Sequence, residues 1–205
     1  MFDLGVIATV FALAFVAELP DKSAVAGLVL GTRFPWPWVF SGIAAAFLTH
    51  VAIAVFAGQL LHLLPGRALE AVVAALFVLG AWLIWREGAH PEEVEAEGEA
   101  ESADAVSGRF DGAGFFKVAS LGYGVIFIAE WGDLTQILTA NLAAKYHDPL
   151  SVGVGATLGL WTVALLAILG GRTLLRVLPM AWITRLAAVV MVVLGILSAA
   201  SAIRG

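Results

Sequence analysis

The 205-residue sequence predicts an all-α polytopic membrane protein of six transmembrane helices, arranged as two inverted-topology repeats of three. Composition is the first ground: 61% of residues are apolar and 13% charged, with a mean hydropathy of +0.96, far from the balance of a soluble domain. The second is a set of six apolar runs, 4–30, 38–64, 69–85, 115–143, 150–177 and 181–203, against the roughly 20 residues a helix needs to cross the hydrocarbon core. The third is an acidic hexapeptide inside the first run, Glu18-Leu19-Pro20-Asp21-Lys22-Ser23, that returns inside the fourth as Glu130-Trp131-Gly132-Asp133-Leu134-Thr135.

The first helix of each repeat is expected to kink or break at its acidic motif. Pro20 cannot donate to the carbonyl of Val16, and its ring crowds that turn. An ordinary proline kink accounts for the break alone; a freed carbonyl beside two acids is also a cation ligand. Gly27 and Gly31 form a small-xxx-small pair suited to close helix packing. Arg33-Phe34-Pro35-Trp36-Pro37-Trp38 reads as an interfacial turn with tryptophans at headgroup depth.

In the second segment His50 lies deep in an apolar run, either as a proton carrier or ligand or as an imidazole satisfied by a backbone carbonyl; His62 is placed at the interface. The third segment is a bare apolar helix that completes the first repeat, residues 1–85. Residues 86–114 then change character: Glu87, Glu92, Glu93, Glu95, Glu97, Glu99, Glu101, Asp104 and Asp111 stand among alanine, glycine and serine. Such a stretch buries too little apolar surface to offset its ordering entropy, so a disordered acidic linker is expected. Its acids lack the fixed spacing of a metal loop.

The second repeat, 115–205, restates the first. Phe127-Ile128-Ala129-Glu130-Trp131-Gly132-Asp133 mirrors Phe15-Val16-Ala17-Glu18-Leu19-Pro20-Asp21 at an offset of 112 (130 − 18). Gly153, Ala156 and Trp161 fall where Gly42, Ala45 and His50 lie, and Leu178-Pro179 echoes Leu64-Pro65. Three spans per half is an odd number, so the second half enters from the opposite side, the arrangement of secondary transporters with a midplane site at the repeat interface.

Arg33, Arg86, Arg109, Lys117, Arg172, Arg176 and Arg185 gather on the side of the linker, against Arg67, Lys145 and Arg204 on the other. The positive-inside rule makes the linker cytoplasmic and puts both termini outside. Met1-Phe2-Asp3 carries no basic signal-peptide n-region, so the first segment is expected to be retained. The chain has no cysteine, which leaves oxygen and imidazole as the only metal ligands.

An ionised carboxylate at the centre of a spanning helix costs roughly 2.5–3.5 kcal/mol unless it meets a partner or a water-filled cavity. Glu18 and Asp21, like Glu130 and Asp133, are three residues apart, and on a helix each pair would project from one face. Brought together, the four acids form an oxygen-rich site for a hard divalent cation, with Ser23 and Thr135 beside it. Like charges in a dehydrated site cannot all stay ionised, so the empty site takes up protons that an entering metal displaces. Lys22 sits at i+4 from Glu18, where it pairs with that carboxylate or serves as an internal cation. Trp131, Gln136 and Asn141 are candidates to line the path, or to pack and bond between helices.

At the two hexapeptides the chain resembles the Gdt-type (transmembrane protein 165-like) Ca2+/Mn2+:H+ exchanger family, whose hallmark is E-x-G-D-[KR]-[ST] in each of two three-helix halves. The resemblance covers everything but the linker. It implies a proton-driven exchanger of Mn2+ or Ca2+ without a prosthetic group, working in a lipid bilayer and binding no nucleic acid. A multi-pass place in a bacterial inner membrane follows, with metal exported; a homo-oligomer is compatible with all of this. Carried over, the metal ligands are Glu18, Asp21, Glu130 and Asp133, supported by Lys22, Ser23, Thr135 and Gln136. The chain departs from the pattern at Pro20, in place of glycine, and at Leu134, in place of a basic residue. A passive divalent cation channel is the alternative reading. A metal-assisted intramembrane hydrolase fits two symmetry-related acid pairs less well.

Overall fold

The computed structural model describes residues 2–18, 22–61, 65–87, 103–105, 107, 110 and 112–177, and in the last segment 189, 192–193, 195–196, 199–200 and 203. Its long elements are all helical: α1 (Leu4–Glu18), α2 (Lys22–Arg33), α3 (Trp36–Leu61), α4 (Gly66–Glu87), α5 (Phe115–Ala129), α6 (Leu134–Tyr146) and α7 (Pro149–Val177).

Local chemistry sets the boundaries. The Asp3 carboxylate accepts from the backbone N–H of Gly5 at 2.8 Å and of Val6 at 3.1 Å, capping α1. Asp148 does the same for α7, accepting from Ser151 N–H at 3.1 Å, and Pro149 occupies the first helical position, where a missing N–H costs nothing. The two caps are tied together by Asp3 N–H donating to Ser151 Oγ at 2.9 Å. Pro35 separates α2 from α3, and His147 in a left-handed conformation (φ 52°) closes α6.

The apolar runs expected as six spans resolve differently. Among the described residues, α3 and the Pro149–Gly170 part of α7 are each long and apolar enough to cross a membrane alone. Helices α5 and α6 make a third span if the pair, bent by 77°, is counted as one. Apolar length cannot register a break: the 115–143 run is two helices, and the 4–30 run is α1 and α2 on either side of residues 19–21. The 181–203 run lies mostly outside the described residues.

Packing crosses between the halves. Helices α1 and α2 lie on α7, α5 and α6 lie on α3, and α3 and α7 pack on each other. Each long helix therefore carries the broken pair of the other half. The closest approaches match: a Cβ at Gly42 would meet the Ala119 carbonyl oxygen at 2.0 Å and Tyr123 N at 2.9 Å, while one at Gly155 would meet the Ile7 oxygen at 2.6 Å and Phe11 N at 3.2 Å. Ala119 and Ile7, like Tyr123 and Phe11, are 112 positions apart (119 − 7; 123 − 11). Gly31, and less closely Gly27, rest against Ile168 of α7, so the small-xxx-small pair is a packing face.

The expected unstructured linker needs a correction at its ends. Arg86 and Glu87 close α4, and residues 103–105 and 107 are helical. Ala103 and Ser107 are buried, Phe110 packs on the core, and Asp104 forms an ion pair with Arg33. Small residues at i and i+4 allow burial against the core, which a composition average over 86–114 does not reveal. Residues 88–102 lie outside the described set.

Candidate metal centre between the two halves

Glu18 is the last residue of α1, and Glu130 caps the end of α5. Both come from apolar helices that stop in the interior, and their side chains are 0% and 2% exposed. Asp133 opens α6, its Oδ2 accepting from Thr135 N–H at 3.0 Å and Thr135 Oγ1 at 3.2 Å. Between them Gly132 adopts φ +78°, a conformation that a side chain would strain. Glu130 and Asp133 therefore flank a tight turn and do not share a helical face as the i, i+3 spacing suggests, because the helix they would share is broken there.

Ligand oxygens of Glu18, Glu130 and Asp133 lie within 4.8 Å of one another. Acids from both halves thus meet at one point. Three carboxylates this close repel strongly in a low-dielectric interior, and a divalent cation or shared protons relieve that repulsion. The ends of α1 and α5 point their carbonyl-rich, partially negative termini into this region, which favours a cation further. Asp133 covers the opposite, positive end of α6.

The supporting residues fall around the cluster. Ser23, buried in the first turn of α2, donates its hydroxyl to Glu18 Oε1 at 2.8 Å. Thr135 is buried, and Thr139, one turn on, donates to its carbonyl at 2.7 Å. Gln136 Oε1 accepts from Gly132 N–H at 2.9 Å. Glu130, Thr135, Gln136, Thr139, His50 and Phe47 line a cavity of about 10 Å³, room for roughly one water. Thr139 escaped the sequence reading, although its i+4 spacing from Thr135 on an otherwise apolar face was a usable signal.

Asp21 and the side chain of Lys22, with His62, lie outside the described residues. His50 is not in the carboxylate cluster; its Nε2 lies 3.2 Å from the Phe127 carbonyl oxygen, as expected of an imidazole satisfied by backbone. Trp131 is 63% exposed, and Asn141 is fully buried with no hydrogen-bond partner among the described residues. Neither lines the cavity.

The profile of a family described as "Divalent cation/proton antiporter GDT1" matches residues 6–92 and 118–205. The chain is 34% identical over 173 residues to the GDT1-like protein sll0615 of Synechocystis, covering 78% of this chain and 80% of that one. It is 28% identical over 189 residues to a Vibrio cholerae protein named "Putative manganese exporter", covering 90% and 86%. It is 30% identical over 191 residues to the chloroplastic protein PAM71 of Arabidopsis thaliana, where it covers 84% of itself but about half, 51%, of the relative. No solved structure matches the chain. The profile match falls on both halves and leaves out only residues 93–117 between them, so the chain belongs to the divalent cation/proton antiporter GDT1 family.

Proposed function

We propose that this chain is a secondary active transporter that exchanges a divalent cation, Mn2+ before Ca2+, for protons and exports the metal from the cytoplasm. The observation that carries the reading is the convergence of Glu18, at the end of α1, with Glu130 and Asp133, at the turn between α5 and α6, within 4.8 Å. Asp21, the repeat mate of Asp133 (133 − 21 = 112), completes the ligand set, with Lys22, Ser23, Thr135 and Gln136 in support. Hard divalent cations take such oxygens, and so do protons. Both compete for one site, and that competition couples their movements once the site faces the two sides in turn.

The reciprocal packing of each broken pair on the other half's long helix supports a six-span inverted repeat. In this reading the linker is cytoplasmic, both termini are outside, and the membrane is a bacterial inner membrane. The name of the Vibrio cholerae relative supports manganese and the outward direction.

Proteoliposomes holding the purified chain test the proposal. An imposed pH gradient should drive Mn2+ uphill with opposite proton flux, and Glu130→Gln should abolish it. Downhill Mn2+ flux indifferent to the pH gradient would replace the exchanger with a passive channel.

A further inference from the structure

We propose that His50, in its neutral Nε2–H tautomer, is a positioning residue that fixes the 130–133 turn and with it Glu130 and Asp133. The break between α5 and α6 creates the need. In an unbroken helix the Phe127 carbonyl would accept from Trp131 N–H, but that N–H lies 3.4 Å from the Ile128 oxygen instead. The Phe127 carbonyl is met by His50 Nε2 at 3.2 Å.

On the other side of the ring, His50 Nδ1 lies 3.2 Å from Gln136 Nε2. The amide orientation follows from Gly132, whose N–H donates to Gln136 Oε1 at 2.9 Å. An amide nitrogen only donates, so Nδ1 accepts and the ring proton sits on Nε2, directed at Phe127. The imidazole has both nitrogens engaged, and its faces are taken as well: ring centroids lie 4.9 Å from Phe127 and 6.0 Å from Trp131. From a single site on α3, His50 thus holds the last turn of α5, the intervening turn and the first turn of α6, both sides of the 77° bend.

The first half lacks the side chains and the turn N–H of this link. Pro20, with no N–H, stands where Gly132 stands, Ala24 stands for Gln136 (136 − 24 = 112), and in the register of the matching Gly42 and Gly155 contacts Val163 stands for His50 (155 − 42 = 163 − 50 = 113). Val163 has no hydrogen-bonding side chain. The link therefore serves one motif only. Without it the turn relaxes and Glu130 and Asp133 drift from Glu18, which weakens the cation site without touching a ligand.

This inference rests on the transport reading, and the test separates the two. Mn2+/H+ exchange is measured in proteoliposomes for the wild type, His50→Phe, Gln136→Leu and the double variant. Phenylalanine keeps the ring packing and loses both hydrogen bonds. Each single variant should raise the Mn2+ KM about tenfold, the lower end of what supporting residues contribute to metal affinity, and leave the maximal rate within about twofold. The double variant should match the singles, because each breaks the same link. A KM unchanged in either single variant, or effects that multiply in the double, would overturn the assignment. If His50→Phe does not fold, the KM of Gln136→Leu decides alone. A wild type without exchange sinks the transport reading; an exchanging wild type with unaltered variants sinks only the role of His50.

Discussion

Gly42→Ala should be among the most damaging small substitutions in the chain. An added Cβ would lie 2.0 Å from the Ala119 carbonyl oxygen, 2.8 Å from its carbon and 2.9 Å from Tyr123 N, all backbone atoms that no rotamer change can move. Ordinary contact begins near 3.4 Å, so α3 and α5 must separate by about 1.4 Å (3.4 − 2.0) along that line. Overpacking of this kind costs about 1–3 kcal/mol, and backbone on both sides puts the expected loss at the upper end, ~3 kcal/mol. The displacement also reaches function, because α5 ends at Glu130 and carries the Phe127 carbonyl that His50 holds. Gly124 on the same helix supplies the control: its added Cβ meets nothing within 4 Å, and Gly124→Ala should gain about 0.5–1 kcal/mol from helix propensity. Thermal unfolding in detergent, with Mn2+ transport in vesicles, reads both variants. A Gly42→Ala protein as stable as Gly124→Ala, with unaltered transport, would refute the close α3–α5 approach and the placement of Glu130 that depends on it.

Ser23→Ala removes the hydroxyl that donates to Glu18 at 2.8 Å; a hydrogen bond to a charged group contributes about 1.5–3 kcal/mol, so stability should fall by that order and the Mn2+ KM should change. Trp161→Phe keeps an aromatic ring beside Phe40 but loses the bond to the Ala44 carbonyl together with part of the indole's packing. A loss of about 1 kcal/mol is expected by thermal unfolding. Hydrogen bonds from Ser151 hold the Asp148 carboxyl below its ordinary value of 3.8. Its folded-state pKa is depressed, so its contribution is present above pH 3.8 and lost as pH falls through the lowered value. Asp148→Asn should therefore lower stability near neutrality and flatten the acid limb, the two stability profiles converging at low pH.

Much of the molecule is legible in its residues alone. Apolar runs long enough to cross a bilayer predict a membrane protein, and two acidic hexapeptides 112 positions apart predict a shared site, because burying a carboxylate in hydrocarbon is costly without a partner. Pro20 predicts a break, and the flanking acids predict oxygen ligands for a hard cation. What the residues could not declare is how the pieces meet. An i, i+3 spacing describes a helical face only while the helix continues, and whether it continues depends on what receives the released backbone groups. That is decided across the bundle: His50 reaches from α3 to the Phe127 carbonyl, and Gln136 joins it to the Gly132 N–H. The meeting of Glu18 with Glu130 and Asp133, more than 110 residues apart in the chain, is likewise a product of helices packing glycine against backbone. Sequence determined which groups must be hidden from lipid and repaid with partners. Only the tertiary structure decided which partners they found, because hydrogen bonds and close packing depend on distances that local sequence does not set.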